Sequence, residues 1–339
     1  MVVAVTLRAG KAPRKRCANL QAVRAFVALC ALVAAAGCGG DRETAAAAAW
    51  ESLRPAPLQR TEVAAARVGR YIYVIGGFEP SRATTAATER YDIKRNRWRR
   101  VADLPVALNH AAAVAHSGRV YVLGGYSSAT DLAQEVATLY RYDPGRDRWR
   151  RLRSAPTARG ALAVGVIRGR LYAAGGANSS GALTTLEIYD FARRRWRTGP
   201  AMPTAREHLA GAVSGGRFYV LAGRAAGVGN YALVEAYDPR ARRWRRVPPM
   251  SKPRGGIGAA TVTGGRIVVA GGEETAGTIR EVELYDPRTR RWSALPDLPT
   301  PRHGLGVVAR GRRVFTLEGG DQPGYAFTSA LEALVVPRS

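Results

Sequence analysis

Arginine recurs at one position in this sequence, 16 or 17 residues before a pair of small residues that is usually Gly-Gly. Guanidinium groups bind carboxylates and phosphates through two parallel hydrogen bonds, so these arginines suit an acidic ligand. The alternative is that they pair with acidic residues of the same chain, such as Glu62, Glu207, Glu89, Glu187, Glu235 and Glu283. The five arginines are Arg60, Arg159, Arg206, Arg254 and Arg302.

Three histidines lie close to the same position: His110, His208 and His303. With Glu207 they could supply acid and base groups, but a polar residue bordering a binding surface is the commoner explanation. We find no phosphate loop, nucleophile elbow or metal-spaced cluster, and no cysteine follows Cys38. The sequence therefore predicts no catalytic residue, no metal ligand and no cofactor.

A module of about 48 residues positions these side chains. Each copy has a hydrophobic run that ends on the small-residue pair, as in YIYVIGG (71–77) and VYVLGG (120–125). The first five copies continue with Tyr-Asp and then Trp, as at Tyr91, Asp92 and Trp98. Four strand-like runs per copy, about 62–68, 71–75, 87–92 and 97–100 in the first, predict four-stranded sheets joined by tight turns.

This pattern of two glycines, Tyr-Asp and tryptophan resembles the kelch repeat over about residues 46–336. The resemblance implies an all-β protein, a six-bladed kelch-type β-propeller with one blade per repeat. The sixth copy lacks the Trp that ends the others, whereas Trp50 precedes the first copy. We therefore predict that the N-terminal strand near Trp50 closes the last blade by pairing with residues about 329–336, which leaves no free edge.

The kelch resemblance also implies that the arginine position borders the central channel on the ligand-binding face. On this basis Arg60, Arg159, Arg206, Arg254 and Arg302, with His110, His208 and His303, are the predicted ligand-binding residues. The resemblance favours a binding module for a protein, peptide or glycan, possibly acidic. The alternative is a sugar epimerase or mutarotase that resembles N-acetylneuraminate epimerase, a six-bladed kelch protein. We predict a monomer.

The N-terminus has the pattern of a bacterial lipoprotein signal. Six basic residues precede a 12-residue apolar run, 25–36, which is shorter than the roughly 20 residues of a membrane-spanning helix. The run ends in Ala-Ala-Gly-Cys, which resembles a lipobox, so Cys38 is the predicted lipidation site. We predict a signal peptide over 1–37, a flexible tether over 38–49 and the propeller over 50–339. The location would be the bacterial cell envelope; without lipidation the protein would be secreted.

Charge is the remaining unusual property. After removal of 1–37, 46 basic residues face 26 acidic ones. Many arginines lie in the hairpin before each tryptophan, and we expect them either to block edge-to-edge aggregation or to lie on anionic lipid. Nucleic acid is not an expected partner, because the chain carries an export signal. The exposed arginines are Arg95, Arg97, Arg146, Arg148, Arg193, Arg194, Arg195, Arg242, Arg243, Arg290 and Arg291.

Overall fold

The structure is a computed structural model that describes residues 48–338. The predicted signal peptide, Cys38 and nearly all of the predicted tether lie outside the described residues. In the described part of the chain, no helix is long and apolar enough to cross a membrane. Its regular elements are β-strands. They form six antiparallel sheets around a central channel, five with four strands and one with a fifth short strand, and two additional small hairpins.

The first strand, β1 (Trp50–Ser52), belongs to the last sheet and is followed by blades 1 to 3. Blade 1 contains β2 (Ala64–Val68), β3 (Tyr71–Ile75), β4 (Thr88–Asp92) and β5 (Arg97–Arg100). Blade 2 contains β6 (Ala112–His116), β7 (Arg119–Leu123), β8 (Leu139–Asp143) and β9 (Arg148–Arg151). Blade 3 contains β10 (Ala163–Ile167), β11 (Arg170–Ala174), the small hairpin β12 (Ala177–Asn178) and β13 (Gly181–Ala182), β14 (Leu186–Asp190) and β15 (Arg195–Thr198).

Blades 4 to 6 repeat the arrangement. Blade 4 contains β16 (Ala210–Ser214), β17 (Arg217–Leu221), the small hairpin β18 (Arg224–Ala225) and β19 (Gly229–Asn230), β20 (Val234–Asp238) and β21 (Arg243–Val247). Blade 5 contains β22 (Gly255–Thr261), β23 (Ile267–Glu274), β24 (Gly277–Thr278), β25 (Val282–Asp286) and β26 (Arg291–Leu295). Blade 6 contains β27 (Gly306–Arg310), β28 (Arg313–Leu317) and β29 (Leu331–Val335).

The last blade is completed by the first strand. β1 pairs antiparallel with β29, with Trp50 opposite Leu334 and Ser52 opposite Glu332. The indole Nε1 of Trp50 donates to the Pro296 carbonyl at 2.8 Å, as that of Trp149 donates to Ala102 of the preceding blade. The predicted six blades and their closure by the N-terminal strand are confirmed.

The hydrophobic core lies between blades rather than within one central layer. One cluster joins Val234 of blade 4 to Val269 of blade 5, and another joins Ile72 of blade 1 to Phe315 of blade 6. Clusters of this kind fill all six interfaces between neighbouring blades. Because the last interface is filled like the others, the ring is closed by side-chain packing as well as by the β1–β29 ladder.

The glycine pair that follows the second strand, such as Gly76-Gly77 in blade 1, lies against the next blade. A Cβ atom on Gly76 would lie 2.2 Å from the carbonyl oxygen of Leu108, so no larger residue fits. Gly77 donates its backbone N–H to that oxygen at 2.8 Å, and Gly319 makes the equivalent bond to Arg60 at 2.7 Å. The pair therefore links neighbouring blades around the ring, the last blade to the first included.

Candidate functional site

The five arginines predicted to contact ligand lie inside the blades. Each is at most 1% exposed. Each guanidinium group contacts a glutamate of the third strand of its own blade, at distances from 2.6 to 2.9 Å. The pairs are Arg60–Glu89, Arg159–Glu187, Arg206–Glu235, Arg254–Glu283 and Arg302–Glu332. Pairing within the chain, which the sequence left as the alternative, is therefore what the structure has, and contact with a ligand would require these pairs to break.

Blade 2 explains why arginine and glutamate recur together. It has Leu108 where the other blades have arginine, and Tyr140 where they have the third-strand glutamate. Leu108 and Tyr140 are both buried, in one hydrophobic cluster. A buried charge requires a charged or hydrogen-bonding partner, so the two residues change as a pair. This supports a structural role for the arginines.

The residue two positions after each arginine, or after Leu108, forms an inner ring at the mouth of the channel. Backbone hydrogen bonds connect its members, for example His110 N to Glu62 O at 3.1 Å and His208 N to Ala161 O at 3.0 Å. Every member has a positive φ between 51° and 68°. The inner ring is Glu62, His110, Ala161, His208, Gly256 and Gly304.

Three members of the inner ring carry ionisable side chains, and these side chains are in contact. Nε2 of His110 lies 3.0 Å from Nε2 of His208 and 3.2 Å from Oε2 of Glu62. Gly304 leaves room for Glu62, because a Cβ there would lie 2.6 Å from Glu62 Oε1. Left-handed backbone costs a non-glycine residue about 1–2 kcal/mol, and such strain concentrates at functional sites. Glutamate and histidine at a ring position where two other blades use glycine mark a candidate functional site.

Further polar groups surround this trio. Arg224 donates from Nη2 to His208 Nε2 at 3.0 Å, from Nε to Glu207 Oε1 at 3.0 Å, and from Nη1 to Glu273 Oε1 at 2.8 Å. His303, which lies one residue before the inner ring, has its Nε2 3.6 Å from Glu62 Oε1 and 3.7 Å from Glu273 Oε2. The three predicted histidines are therefore brought together.

A cavity of about 120 Å³ opens above the cluster. Its walls come from the segments before the first strands and from the loops between second and third strands. Tyr325 of blade 6 reaches across this face: its hydroxyl donates to the Thr130 carbonyl of the blade 2 loop at 2.8 Å. Its ring packs edge-on against Phe78, with centroids 5.2 Å apart, and lies under the Arg82 guanidinium. Loops of blades 1, 2 and 6 thus meet over the cluster.

Burial controls protonation in the cluster. Desolvation, reinforced by the nearby Glu273 carboxylate and opposed by Arg224, raises the pKa of Glu62 to about 8. Desolvation and the Arg224 charge lower the pKa of His110 to about 3. Desolvation, followed by the neighbouring His110 and Arg224, holds the pKa of His208 well below its usual range. At neutral pH the cluster contains a protonated carboxyl group beside uncharged imidazoles.

The sequence missed part of this site. Glu62 was expected only as an arginine partner, and Glu273 and Arg224 were not among the predicted ligand-binding residues. No metal-spaced cluster was predicted, yet ligand atoms of Glu62, His110 and His208 lie within 4.8 Å of one another. The spacing along the sequence could not indicate this proximity, because the three residues come from different blades. The three residues share one position in the repeat, because each lies two residues after the arginine position.

The arginines of the second group lie in the hairpins on the opposite side. All eleven are exposed, and Asp side chains cap the turns, as Asp190 Oδ1 accepts from Arg193 N at 2.9 Å. The start of β1 lies on this same side, because Trp50 pairs near the end of β29 and Val335 of β29 pairs with Arg313 at the start of β28. The described chain therefore enters the propeller from its arginine-rich face.

These features define the class: a six-bladed β-propeller whose repeats carry Gly-Gly, Tyr-Asp and Trp. Residues 41–202 match the KLHDC2/KLHL20/DRC7 Kelch-repeats domain, and residues 205–251 and 258–299 match the Kelch motif. The chain is a member of the kelch-repeat family.

Relatives and a solved structure agree with this assignment. The chain is 33% identical over 159 residues to Kelch-like protein terF of Aspergillus terreus, across 43% of this chain and 35% of that protein. It is 30% identical over 135 residues to human Kelch repeat and BTB domain-containing protein 12, across 38% and 22%. The chain thus spans about a third or less of these relatives. The solved structure of YjhT superposes with a TM-score of 0.71 at 16% identity, over 82% of this chain and 95% of that one, which is a likeness of fold.

Proposed function

We propose that this protein is an exported, lipid-anchored kelch-repeat module that binds a protein, peptide or glycan at the channel mouth. The observation that carries the proposal is the placement of exposed apolar side chains. Among the described residues, Leu132, Val228 and Tyr325 are 47%, 66% and 41% exposed. All three lie in loops between second and third strands, on the side of the cavity.

Exposed apolar and aromatic residues around a polar depression are typical of binding surfaces. A relative is named Kelch-like ECH-associated protein 1B, and a name that records an association supports a binding module. With the five arginines buried, a preference for acidic ligands would depend on arginines of the loops between second and third strands, such as Arg82 and Arg224.

Site-specific photocrosslinking tests this proposal. A photoreactive amino acid at Leu132 or Tyr325 in the whole chain, irradiated in intact cells, is expected to capture a discrete partner. The matched control is Val335, which is 48% exposed on the opposite side. Equal capture from Val335, or none from Leu132 and Tyr325, would contradict a ligand site at the channel mouth.

The orientation on the membrane is part of the same proposal. The sequence pattern of 1–38 supports export, lipid anchoring at Cys38 and a location in the cell envelope. The described chain enters the propeller from the arginine-rich face, which would therefore lie nearest the membrane. Basic residues at an anionic surface contribute about 1 kcal/mol each. Replacing Arg193, Arg194 and Arg195 together by Gln should therefore weaken binding of the whole chain to anionic vesicles and leave binding to zwitterionic vesicles unchanged. An identical salt dependence in wild type and variant would contradict this orientation.

A second candidate is the sugar epimerase or mutarotase, and one observation favours it. The protonated Glu62 carboxyl lies next to the uncharged His110 imidazole in a cavity, which suits proton transfer. The test is proton NMR of N-acetylated amino sugars with the purified chain: activity that disappears in Glu62→Gln with the fold intact would favour catalysis. If the chain converts none of these sugars, the result would contradict the enzyme and favour the binding module.

A further inference from the structure

The donor atoms of Glu62, His110 and His208 all lie within 4.8 Å of one another, and two of the three separations are close to those of ligands around one metal ion. Two nitrogens bound to Zn²⁺ at about 2.0–2.1 Å lie roughly 3.3 Å apart at the tetrahedral angle. The observed separations are 3.0 Å between the two Nε2 atoms and 3.2 Å between His110 Nε2 and Glu62 Oε2. The side chains are only 3–12% exposed.

The hydrogen bonds of Asn109 fix the tautomer of His110. Thr84 Oγ1 donates to the Ser128 carbonyl, so it accepts from Asn109 Nδ2 at 2.9 Å. Oδ1 of Asn109 therefore faces His110 Nδ1, at 2.7 Å, and can only accept. The ring proton of neutral His110 is on Nδ1, and its Nε2 presents a lone pair.

His208 and His303 are held in the same way. Nδ1 of His208 contacts the Glu207 carboxylate, and Nδ1 of His303 lies 3.2 Å from the Gly320 carbonyl. Both acceptors place the ring proton on Nδ1. Orientation of a histidine by an oxygen acceptor behind it is the usual second shell of a metal ligand.

The unprotonated Nε2 atoms of His110 and His208 therefore lie 3.0 Å apart. They cannot form a hydrogen bond with each other, although His208 Nε2 accepts from Arg224. One cation placed between them could bind both nitrogens. The same side chains occupy the left-handed inner ring, where glycine would avoid the backbone strain.

We propose that Glu62, His110 and His208 bind one divalent transition-metal ion with the character of Zn²⁺, with a fourth position open towards His303 and the cavity. Two imidazoles and one carboxylate favour Zn²⁺ and its neighbours over Mg²⁺ or Ca²⁺, which prefer oxygen ligands. Arg224 competes with the ion, because its guanidinium group donates a hydrogen bond to His208 Nε2, the atom that would bind the ion. Its side chain is 33% exposed, so it can move away when the ion binds.

The experiment is a titration of the whole chain, purified without a polyhistidine tag, with Zn²⁺ and with Co²⁺. We expect one equivalent of each to bind, and Co²⁺ to give visible absorption bands of a nitrogen-containing site. His110→Ala or His208→Ala should abolish stoichiometric binding. Asn109→Ala removes the oxygen that orients His110 and keeps all three proposed ligands, so it should weaken metal binding by about 10- to 100-fold. Arg224→Gln should tighten it by about tenfold, since a nearby positive charge is removed.

The matched control is His116→Ala. His116 is the remaining histidine of the chain, and its ring stacks on Phe191 with ring centroids 4.1 Å apart, away from the cluster. Its replacement should leave metal binding unchanged. The proposal is overturned if neither Zn²⁺ nor Co²⁺ binds stoichiometrically, if binding survives both His110→Ala and His208→Ala, or if Mg²⁺ binds equally well. Thermal unfolding of each variant establishes that it is folded.

Discussion

Arg60 of blade 1 contacts Glu318 of blade 6 across the junction where the ring closes, with Nε 2.8 Å from Oε2. The same guanidinium contacts Glu89 at 2.9 Å, and all three side chains are at most 3% exposed. One cation thus lies between two carboxylates in a dry site. Burial, opposed by Arg60 and reinforced by Glu89, raises the pKa of Glu318 to about 7.

This arrangement predicts a pH-dependent stability. The pKa of Glu318 is 4.5 in the absence of the fold and about 7 within it, so the folded state binds the proton more tightly. Its contribution is fully present below pH 4.5 and is lost as the pH rises through 7. The free energy of unfolding should fall by about 2–3 kcal/mol across this window, measured by urea denaturation. Glu318→Gln should remove this part of the fall and leave the part due to Glu62, whose pKa is also raised, to about 8. The exposed control Glu274→Gln should leave the whole profile unchanged.

The buried pairs predict a compensating double mutant. Arg206→Leu should cost about 3–5 kcal/mol, because it leaves Glu235 buried without its cation. Arg206→Leu combined with Glu235→Tyr reproduces the residues of blade 2, Leu108 and Tyr140, and should recover most of the loss. A double-mutant cycle by chemical denaturation measures the coupling. Additive losses would contradict the view that the two residues are exchanged as a unit.

Ring closure predicts equal behaviour of the first and the third tryptophan of the sequence. Trp50→Phe removes the indole donor to the Pro296 carbonyl and keeps an aromatic ring. Trp149→Phe does the same to the bond with the Ala102 carbonyl. Each should lower the free energy of unfolding by about 1 kcal/mol. A loss in Trp149→Phe with no change in Trp50→Phe would mean that β1 is not docked in solution.

The fold could be predicted from the sequence because every blade packs against its neighbours through similar hydrophobic clusters. The glycine pair, Tyr-Asp and Trp recur since each blade must meet its neighbour in the same way, and the unpaired Trp50 indicated the closing strand. The strands predicted for blade 1 differ from those observed by two residues at most, at the start of β2 and of β4.

The site could be predicted only in part, because function departs from the repeat. The arginines recur in five blades, and that regularity is typical of structure rather than of ligand binding. His110 and His208 replace the alanine or glycine of other blades, which was the informative signal. Contacts such as Arg224 with Glu273 depend on loop conformations that differ in every blade, so no spacing indicates them.

Strain in the inner ring predicts opposite effects of two small substitutions. Ala161 has a φ of 51° without a functional side chain, so Ala161→Gly should relieve about 1–2 kcal/mol of strain. The greater freedom of glycine in the unfolded chain offsets about 0.4–1 kcal/mol of this, so the net effect should be stabilisation by about 0–1.6 kcal/mol. Gly304 has a φ of 59°, and a Cβ there would lie 2.6 Å from both Glu62 Oε1 and Thr61 Oγ1. Gly304→Ala should therefore destabilise the protein and displace Glu62 from His110, which weakens Zn²⁺ binding as well. Chemical denaturation of both variants checks the signs, and a destabilised Ala161→Gly protein would show that the left-handed ring positions are not strained.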